Sequence, residues 1–259
     1  MDFNLIKTDV RENGIATAAL FRPNSLNAFN AELIGELIRY FENIGDDETV
    51  RAVILTGDGE KAFAAGADIK EMSGMSSQEA KEFALRGQKL TNLIQHLGKP
   101  VVAAVNGYAL GGGCEVALAC HLRFASANAI FGQPEVGLGL IPGWGGTQRL
   151  ARLIGSGLAT ELIISGKKID AATAKNIGLV NEIYSQDELL DKTIEFLAGV
   201  RQQSPNAVSL SLEAINRGMN MTLAEGLHLE ADLFGLAFSS QESTEGTQAF
   251  IEKRKPDFS

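Results

Sequence analysis

The sequence predicts an α/β protein that ends in a purely helical region, and three observations carry that expectation. Over residues 1–185 short apolar runs alternate with helical patterns, as in proteins that cover a sheet with helices. Beyond residue 185 the strand signals stop and helical patterns follow one another. No internal repeat and no Pro/Ser-rich linker separates the two parts, so 1–185 reads as the core and 186–259 as a helical appendix of the same domain.

The elements follow in chain order. Residues 5–10 and 14–21 read as strands joined by Glu12-Asn13-Gly14, and Asn-Gly is a strong hairpin signal. Residues 31–44 place Leu33, Ile34, Leu37, Ile38 and Phe41 at helical spacing, and 83–97 repeats the pattern. Further strands are expected at 52–56, 101–105, 122–125 and 179–183. Helices are expected at 187–200, 206–217, 223–238 and 244–253. Ser185, Ser204-Pro205 and Thr222 mark starts, and Glu225 completes a capping box with Thr222.

A chain of 259 residues buries roughly three quarters of its unfolded surface and needs no staples. The hydrophobic share is 45% and the charged share 21%, which excludes a disordered or low-complexity protein. With 23 basic and 32 acidic side chains the formal charge is −9, which argues against general binding to nucleic acid or to an anionic membrane. Cys114 and Cys120 are too few for a disulfide framework, so a reducing compartment fits. The N-terminus lacks signal- or transit-peptide character, and no apolar run is long enough to span a membrane. A soluble, cytoplasmic protein is the expectation.

Three glycine-rich segments carry the chemistry. The first, Phe63-Ala64-Ala65-Gly66-Ala67-Asp68-Ile69-Lys70, lets a ligand approach the backbone closely, although alone it reads as a tight turn between strand and helix. The second runs from Asn106 through Gly111-Gly112-Gly113 to Cys120. It follows a strand and opens an apolar helix, leaving N–H groups uncovered at the positive end of a helix dipole. Neither a P-loop nor a Rossmann fingerprint is present, so these donors suit a developing oxyanion better than a polyphosphate. Glu115 lies one turn deeper and can lean back toward that space. The bland reading is a dipole-complementing Glu, but Val116, Ala117, Leu118 and Ala119 make the helix an expensive place for a charge.

The third segment, from Phe131 to Arg149, places Glu135 among apolar residues and glycines. Its bland reading is a salt bridge to Arg149 or Arg123. Its functional reading is a second carboxyl at the oxyanion site, with burial and repulsion driving the two proton affinities apart into an acid and a base.

Taken together, FAAGADIKEM (63–72), NGYALGGGCEVALAC (106–120) and FGQPEVGLGLIPGWGGTQRLARLIG (131–155) resemble the crotonase superfamily, specifically enoyl-CoA hydratases. The resemblance spans essentially the whole chain, including Arg22-Pro23-Asn24-Ser25-Leu26-Asn27-Ala28 and Glu245-Gly246 through Lys253-Arg254-Lys255-Pro256. It implies a ββα spiral core with a helical C-terminal trimerisation region, where alternation alone would suggest a doubly wound sheet. It implies Ala67 and Gly112 as the oxyanion-hole donors and Glu115 and Glu135 as the catalytic pair. Glu115 would mainly activate water, and Glu135 would exchange the proton at Cα. It further implies a coenzyme A cradle of Ser25, Leu26, Ala65, Ala67, Asp68, Ile69 and Lys70, with Gly112 and Gly143 beside the acyl group.

The implied substrate is an acyl-CoA thioester. The implied assembly is a homo-oligomer, a hexamer of two trimers, and no metal or separate cofactor is implied. Relatives often carry Lys at Asn24 and Asp at His121. Lys70, or a neighbour's Lys253 and Arg254, would then supply positive charge near the phosphates. His121, with His96 and His228 scattered elsewhere, forms no metal constellation.

Rival readings are a Δ3–Δ2 enoyl-CoA isomerase, an RNA-binding homologue and a silent acyl-CoA binder. The first needs one carboxylate where two stand. The second needs a basic face, but 31–47 carries Glu32, Glu36, Glu42, Asp46 and Asp47 against Arg39. The third is hard to square with both glutamates and all three glycines. Trp144 has two readings: it packs the loop 141–146 onto the core, or its ring, facing Met72 and Met75, limits the acyl pocket.

Overall fold

The large sheet is built from the strands that the apolar runs predict. In the computed structural model, which describes residues 3–258, β1 (Ile6–Val10) and β2 (Ile15–Leu20) form an antiparallel hairpin pairing Ile6 with Leu20 and Val10 with Ala16. Gly14 turns it at φ +72°, and a Cβ there would meet Thr49 O at 2.7 Å, so the Asn-Gly signal has both a conformational and a steric cause. Strands β3 (Ala52–Gly57), β5 (Val101–Val105), β7 (Leu122–Ser126) and β10 (Glu182–Tyr184) continue the sheet in parallel, in the order β1-β2-β3-β5-β7-β10.

Both faces of this sheet are covered, which is why β5 reads as the unbroken apolar run VVAAV. Val53, Leu55, Val101 and Ala103 face the main core with α1 (Ala31–Asp46) and α3 (Ser77–Gln95). Their alternates Ala52, Ile54, Val102 and Ala104 face α8 (Leu189–Val200) through Leu189 and Leu197.

A second sheet of three-residue strands has the order β4 (Ala62–Ala64), β6 (Tyr108–Leu110), β8 (Ile130–Gly132), β9 (Lys168–Asp170). Its first three members are parallel. Strands so short carry no readable periodicity, and these are absent from the sequence expectation. The chain visits the two sheets alternately. β3 leads to β4 and then α2 (Ile69–Met72) and α3. β5 leads to β6 and α4 (Gly112–Ala119). β7 leads to β8, a 3-10 turn (Glu135–Leu138) and α5 (Gly146–Ile154). Three strand–strand–helix turns wind the ββα spiral that the resemblance implies, in place of a doubly wound sheet. α6 (Ser156–Ser165) and α7 (Ala171–Asn176) complete it.

The crossings between sheets are tight. A Cβ on Gly57 would lie 2.1 Å from Ala62 O, and one on Gly107 would lie 2.2 Å from Lys61 O. Asn106, buried between them, accepts from Gly57 N at 3.1 Å and donates to Gly57 O at 2.8 Å, tying one crossing to the next.

Some boundaries move. The strand expected at 179–183 is confined to β10. Leu179 and Val180 instead close the end of α7, their N–H groups donating to Ala174 O at 2.9 and 3.2 Å. α3 starts at Ser77, not 83, because Ser76 and Glu79 form a capping box ahead of the apolar stripe. The helix expected at 187 starts at Leu189, and the one expected at 244 is α11 (Gln241–Glu252), capped by Ser240. α9 (Pro205–Gly218) is capped by Ser204, and α10 (Leu223–Phe238) carries the Thr222/Glu225 box.

These last three helices bury little: Leu233 on α10, Ala249 on α11 and no residue of α9. Among the described residues no helix is long and apolar enough to cross a membrane.

The close crossings predict that Gly107→Ala, whose methyl can be accommodated only by moving backbone, lowers unfolding stability by about 1–3 kcal/mol. Urea denaturation measures this, and an unchanged midpoint would show that the crossing has slack.

Candidate active site

Parallel β4, β6 and β8 end at one edge of the small sheet, so the segments that follow them emerge side by side. Those segments are the three glycine-rich stretches. Their contact is direct: Gly111 N donates to Gly132 O at 2.9 Å, and a Cβ on Gly111 would sit 3.0 Å from Glu135 Oε1 and 3.8 Å from Gly66 Cα. Each glycine of the triplet answers a different demand. Gly111 has φ +50° and faces Glu135, a Cβ on Gly112 would lie 2.7 Å from the Trp144 ring, and one on Gly113 would lie 2.0 Å from Ala64 O.

Gly112 is the first residue of α4, and no side chain caps that helix, so its N–H is an open donor at the positive end of the dipole. Ala67 forms an isolated parallel bridge with Phe29. Gly66 O accepts from Phe29 N and Phe29 O accepts from Asp68 N, both at 2.8 Å, so the bridge itself leaves the Ala67 N–H unused.

Glu115 is 2% exposed, in a helix whose every residue is buried. Its Oε1 accepts from Trp144 N and Gly146 N, both at 2.7 Å. Gly146 is the first residue of α5, so a second helix N-terminus is aimed at this carboxylate. Burial raises its proton affinity, while the Gly146 and Trp144 donors and the charge of Arg149 oppose that rise.

Glu135 opens the 3-10 turn after β8. Burial pushes its pKa up to about 7. Its own backbone N–H opposes the rise, and the Glu115 charge adds to it. Neither expected arginine pairs with it. Arg123 donates to Leu179 O and Cys120 O, and Arg149 to Gln95, Asn92, Thr91 and the Trp144 carbonyl. The partner that sequence reasoning missed is Gln133, 1% exposed, whose amide nitrogen, turned toward Glu135, donates to Oε1 at 2.9 Å and Oε2 at 3.2 Å. The available signal was a Gln two residues before Glu135 in the same apolar, glycine-rich stretch. The pair thus has asymmetric surroundings: at Glu115 converging donors oppose the rise that burial causes, whereas at Glu135 the neighbouring Glu115 charge adds to it.

The remaining expected contacts fall on the same edge. Leu26 has φ +49°, is exposed, and accepts from Ala65 N at 3.0 Å, which joins Ser25 and Leu26 to the start of the Ala65–Lys70 stretch. Ile69 and Lys70 are exposed. The Asp68 carboxylate accepts from Arg22 at 2.9 Å and from Lys70 N at 3.2 Å, so it is engaged within the chain. Arg254 is likewise committed, to Glu245 at 2.5 Å and Glu252 at 2.7 Å. His121 accepts from Val101 N at 2.9 Å and meets Gln95 O at 3.1 Å, and burial takes its pKa to about 4, the pattern of a neutral structural histidine.

Gly143 lies half-buried, its carbonyl accepting from Gln88 Nε2 at 2.9 Å. Trp144 is 3% exposed, edge-on to Phe29 at 5.4 Å and tilted against Phe83 at 5.5 Å, with a Cβ on Gly87 falling 2.3 Å from its ring. Of its two readings the packing one is favoured: the indole fills a glycine notch beneath Gly112, and Met72 and Met75 pack on the same core.

A family model described as enoyl-CoA hydratase/isomerase matches residues 10–259. The chain belongs to this family. It is 47% identical over 95% of its length to the short-chain-enoyl-CoA hydratase of Clostridium acetobutylicum, of which 94% is covered. It is 46% identical over 96% of its length to the crotonyl-CoA hydratase of Syntrophomonas wolfei, of which 95% is covered. The crystal structure of an enoyl-CoA hydratase from Bacillus anthracis superposes with a TM-score of 0.95 at 40% identity, covering 98% of this chain and 99% of that one.

With Trp144 wedged between Gly87 and Gly112, Trp144→Ala is expected to cost about 3–5 kcal/mol of stability, as for other buried aromatics. Thermal and urea unfolding check this, and a loss below about 1 kcal/mol would contradict the wedge.

Proposed function

We propose that the protein is a hydro-lyase adding water reversibly to short trans-2-enoyl-CoA thioesters to give 3-hydroxyacyl-CoA. The observation that carries this reading is the pair of carboxyls beside the N-terminus of α4, buried Glu115 held by two N–H donors and half-buried Glu135 pushed up to about 7. The hydratase names of the two bacterial relatives support the same substrate class.

In this reading Ala67 and Gly112 N–H groups receive the thioester oxygen as it gains enolate charge, each donor contributing roughly a few kcal/mol to the transition state. Glu115 takes a proton from water as the water oxygen bonds to Cβ. The π electrons move toward the thioester, and Glu135 delivers its proton to Cα. Product forms with the proton now on Glu115 and the charge on Glu135. An isomerase needs only one such carboxylate, so the second one favours hydration. Ser25, Leu26, Ala65, Ala67, Asp68, Ile69 and Lys70 are assigned to the coenzyme A moiety, and Gly112 and Gly143 to the acyl end.

We assign 1–185 to the spiral core and 186–259 to an oligomerisation region, although α8 of that region covers the large sheet. Support comes from exposed apolar side chains on the last helices: Leu223 82%, Phe234 66%, Phe238 62% and Phe250 85%. A monomer rarely leaves so much apolar surface uncovered. A trimer-based assembly, a hexamer of two trimers, would cover them. A soluble cytoplasmic enzyme is the reading of location, supported by the bacterial relatives, with a mitochondrial hydratase of Pongo abelii also matching at 42% identity.

Following crotonyl-CoA absorbance tests the activity directly. Glu115→Gln and Glu135→Gln should each lower kcat by about 100-fold or more while leaving the fold intact. Near-wild-type turnover in either would refute the two-carboxyl mechanism.

Forward and reverse reactions start from two tautomers of the same singly protonated pair, so kcat/KM must follow one pH profile in both directions. It should fall as pH rises through about 7, where Glu135 loses its proton, and fall again in acid, where Glu115 gains one. A rate that keeps rising well above pH 7 would show that the pair does not act with one proton. Sedimentation at micromolar concentration should show a trimer-based oligomer, and a monomer would refute the assembly.

A further inference from the structure

The turn 143–146 that holds Glu115 is itself gripped from outside by side chains that no step of the proposed reaction uses. Gln88 on α3 donates to Gly143 O at 2.9 Å, and that peptide's N–H, on Trp144, is one of the two donors to Glu115. Trp144 O accepts from Thr91 Oγ1 and from Arg149 Nη1, each at 3.0 Å. Gly145 O accepts from Arg149 N at 2.7 Å, and that peptide's N–H, on Gly146, is the second donor. All three peptides of the turn are therefore bonded on their carbonyl side, and the outer two pass that polarisation to the carboxylate.

Arg149 is the centre of this clamp. Its Nε donates to Gln95 Oε1 at 2.9 Å, Nη2 to Asn92 Oδ1 at 2.8 Å, and Nη1 also to Thr91 Oγ1 at 3.1 Å. Every one of these partners is neutral, so the planar fork is held rigid without its charge being cancelled by a contacting carboxylate. We propose that Arg149 is a positioning residue for Glu115: its guanidinium fixes the turn so that two N–H groups converge on Oε1, and its uncancelled charge offsets the carboxylate buried in α4.

The groups facing Glu115 fit this role. Glu135 from the 3-10 turn and Cys114 beside it on α4 are coupled to the same charge, Arg149 from α5 favours it, and α3 presents the neutral Gln88, Thr91, Asn92 and Gln95.

The inference rests on Glu115 acting in the proposed hydration, so its test includes a readout that needs no substrate. Infrared difference titration, with Glu115→Gln locating the band, should show the Glu115 midpoint rising by about one pH unit or more in Arg149→Met. An unchanged midpoint overturns the proposal. In crotonyl-CoA hydration the same variant should lose about 10- to 100-fold in kcat, the worth of hydrogen bonds to a charged group, with KM changed less than about threefold. A KM rise with kcat kept overturns it.

Arg149→Lys, which keeps charge but loses the fork, should restore the infrared midpoint and only part of kcat. Restoration of neither would leave no role for the charge and also overturns the proposal. If Arg149→Met fails to fold, Thr91→Val and Gln88→Leu trim the clamp elsewhere, and each should lower kcat by about threefold to tenfold; unaltered kcat in both overturns it. A wild-type protein that does not hydrate crotonyl-CoA would defeat the proposed function, while the infrared comparison would still decide the clamp.

Discussion

A carboxylate inside an apolar helix is the constraint around which this molecule is arranged. Glu115 sits in α4 with Val116, Ala117, Leu118 and Ala119, all of them buried. Left unpaired, such a group would lose several kcal/mol of hydration or simply stay protonated. The chain meets the demand with backbone donors in direct contact, and the charge of Arg149 acts from behind them without touching the carboxylate. Two N–H groups converge on one oxygen, and one of them opens α5. A lysine in contact would hold the charge permanently and spoil a proton acceptor. Peptide dipoles stabilise it while leaving it able to take a proton.

That solution dictates packing well beyond α4. The N–H donors must come within hydrogen-bonding distance of a buried helix, so α4, β4 and the 143–146 turn approach more closely than side chains allow. Gly113 meets the Ala64 carbonyl, Gly146 faces Glu115 Oε1 at 3.0 Å from its Cβ position, and Gly87 and Gly112 make room for the Trp144 ring. The small sheet serves the same end. Its three-residue parallel strands add little pairing energy, but they bring three successive loops to one edge, where α/β proteins bind ligands.

The two glutamates differ because their surroundings differ, not their chemistry. Glu115 receives two aimed donors, whereas Glu135 receives one neutral amide from Gln133 at a half-buried turn and feels the Glu115 charge. A pair poised to hold a single proton can pass it either way across a double bond, and a reversible addition of water requires that symmetry. In the proposed hydration the uncapped N-terminus of α4 at Gly112 is the remaining element, placed to stabilise charge on oxygen during the transfer.

Much of this was legible in the residue order. The apolar runs located β2, β3, β5 and β7, because a strand covered on both faces is largely apolar, and the Asn-Gly signal placed β1 beside β2. Capping residues at Ser204 and Thr222 located two of the C-terminal helix starts, because an N-cap is a local interaction. The glycine triplet and the two glutamates stood out because a charge or a bare backbone in an apolar stretch has few cheap explanations. What the order of residues could not show is everything that depends on contact between distant segments. The short strands β4, β6, β8 and β9 exist only through pairing, the Leu179-Val180 run turned out to close a helix, and Gln133, Gln88, Thr91 and Arg149 acquire their partners only on folding. The sequence by itself determined which groups stand out as candidates for the chemistry. The tertiary structure decided how each is held, because hydrogen-bond geometry and burial are set by segments tens of residues apart.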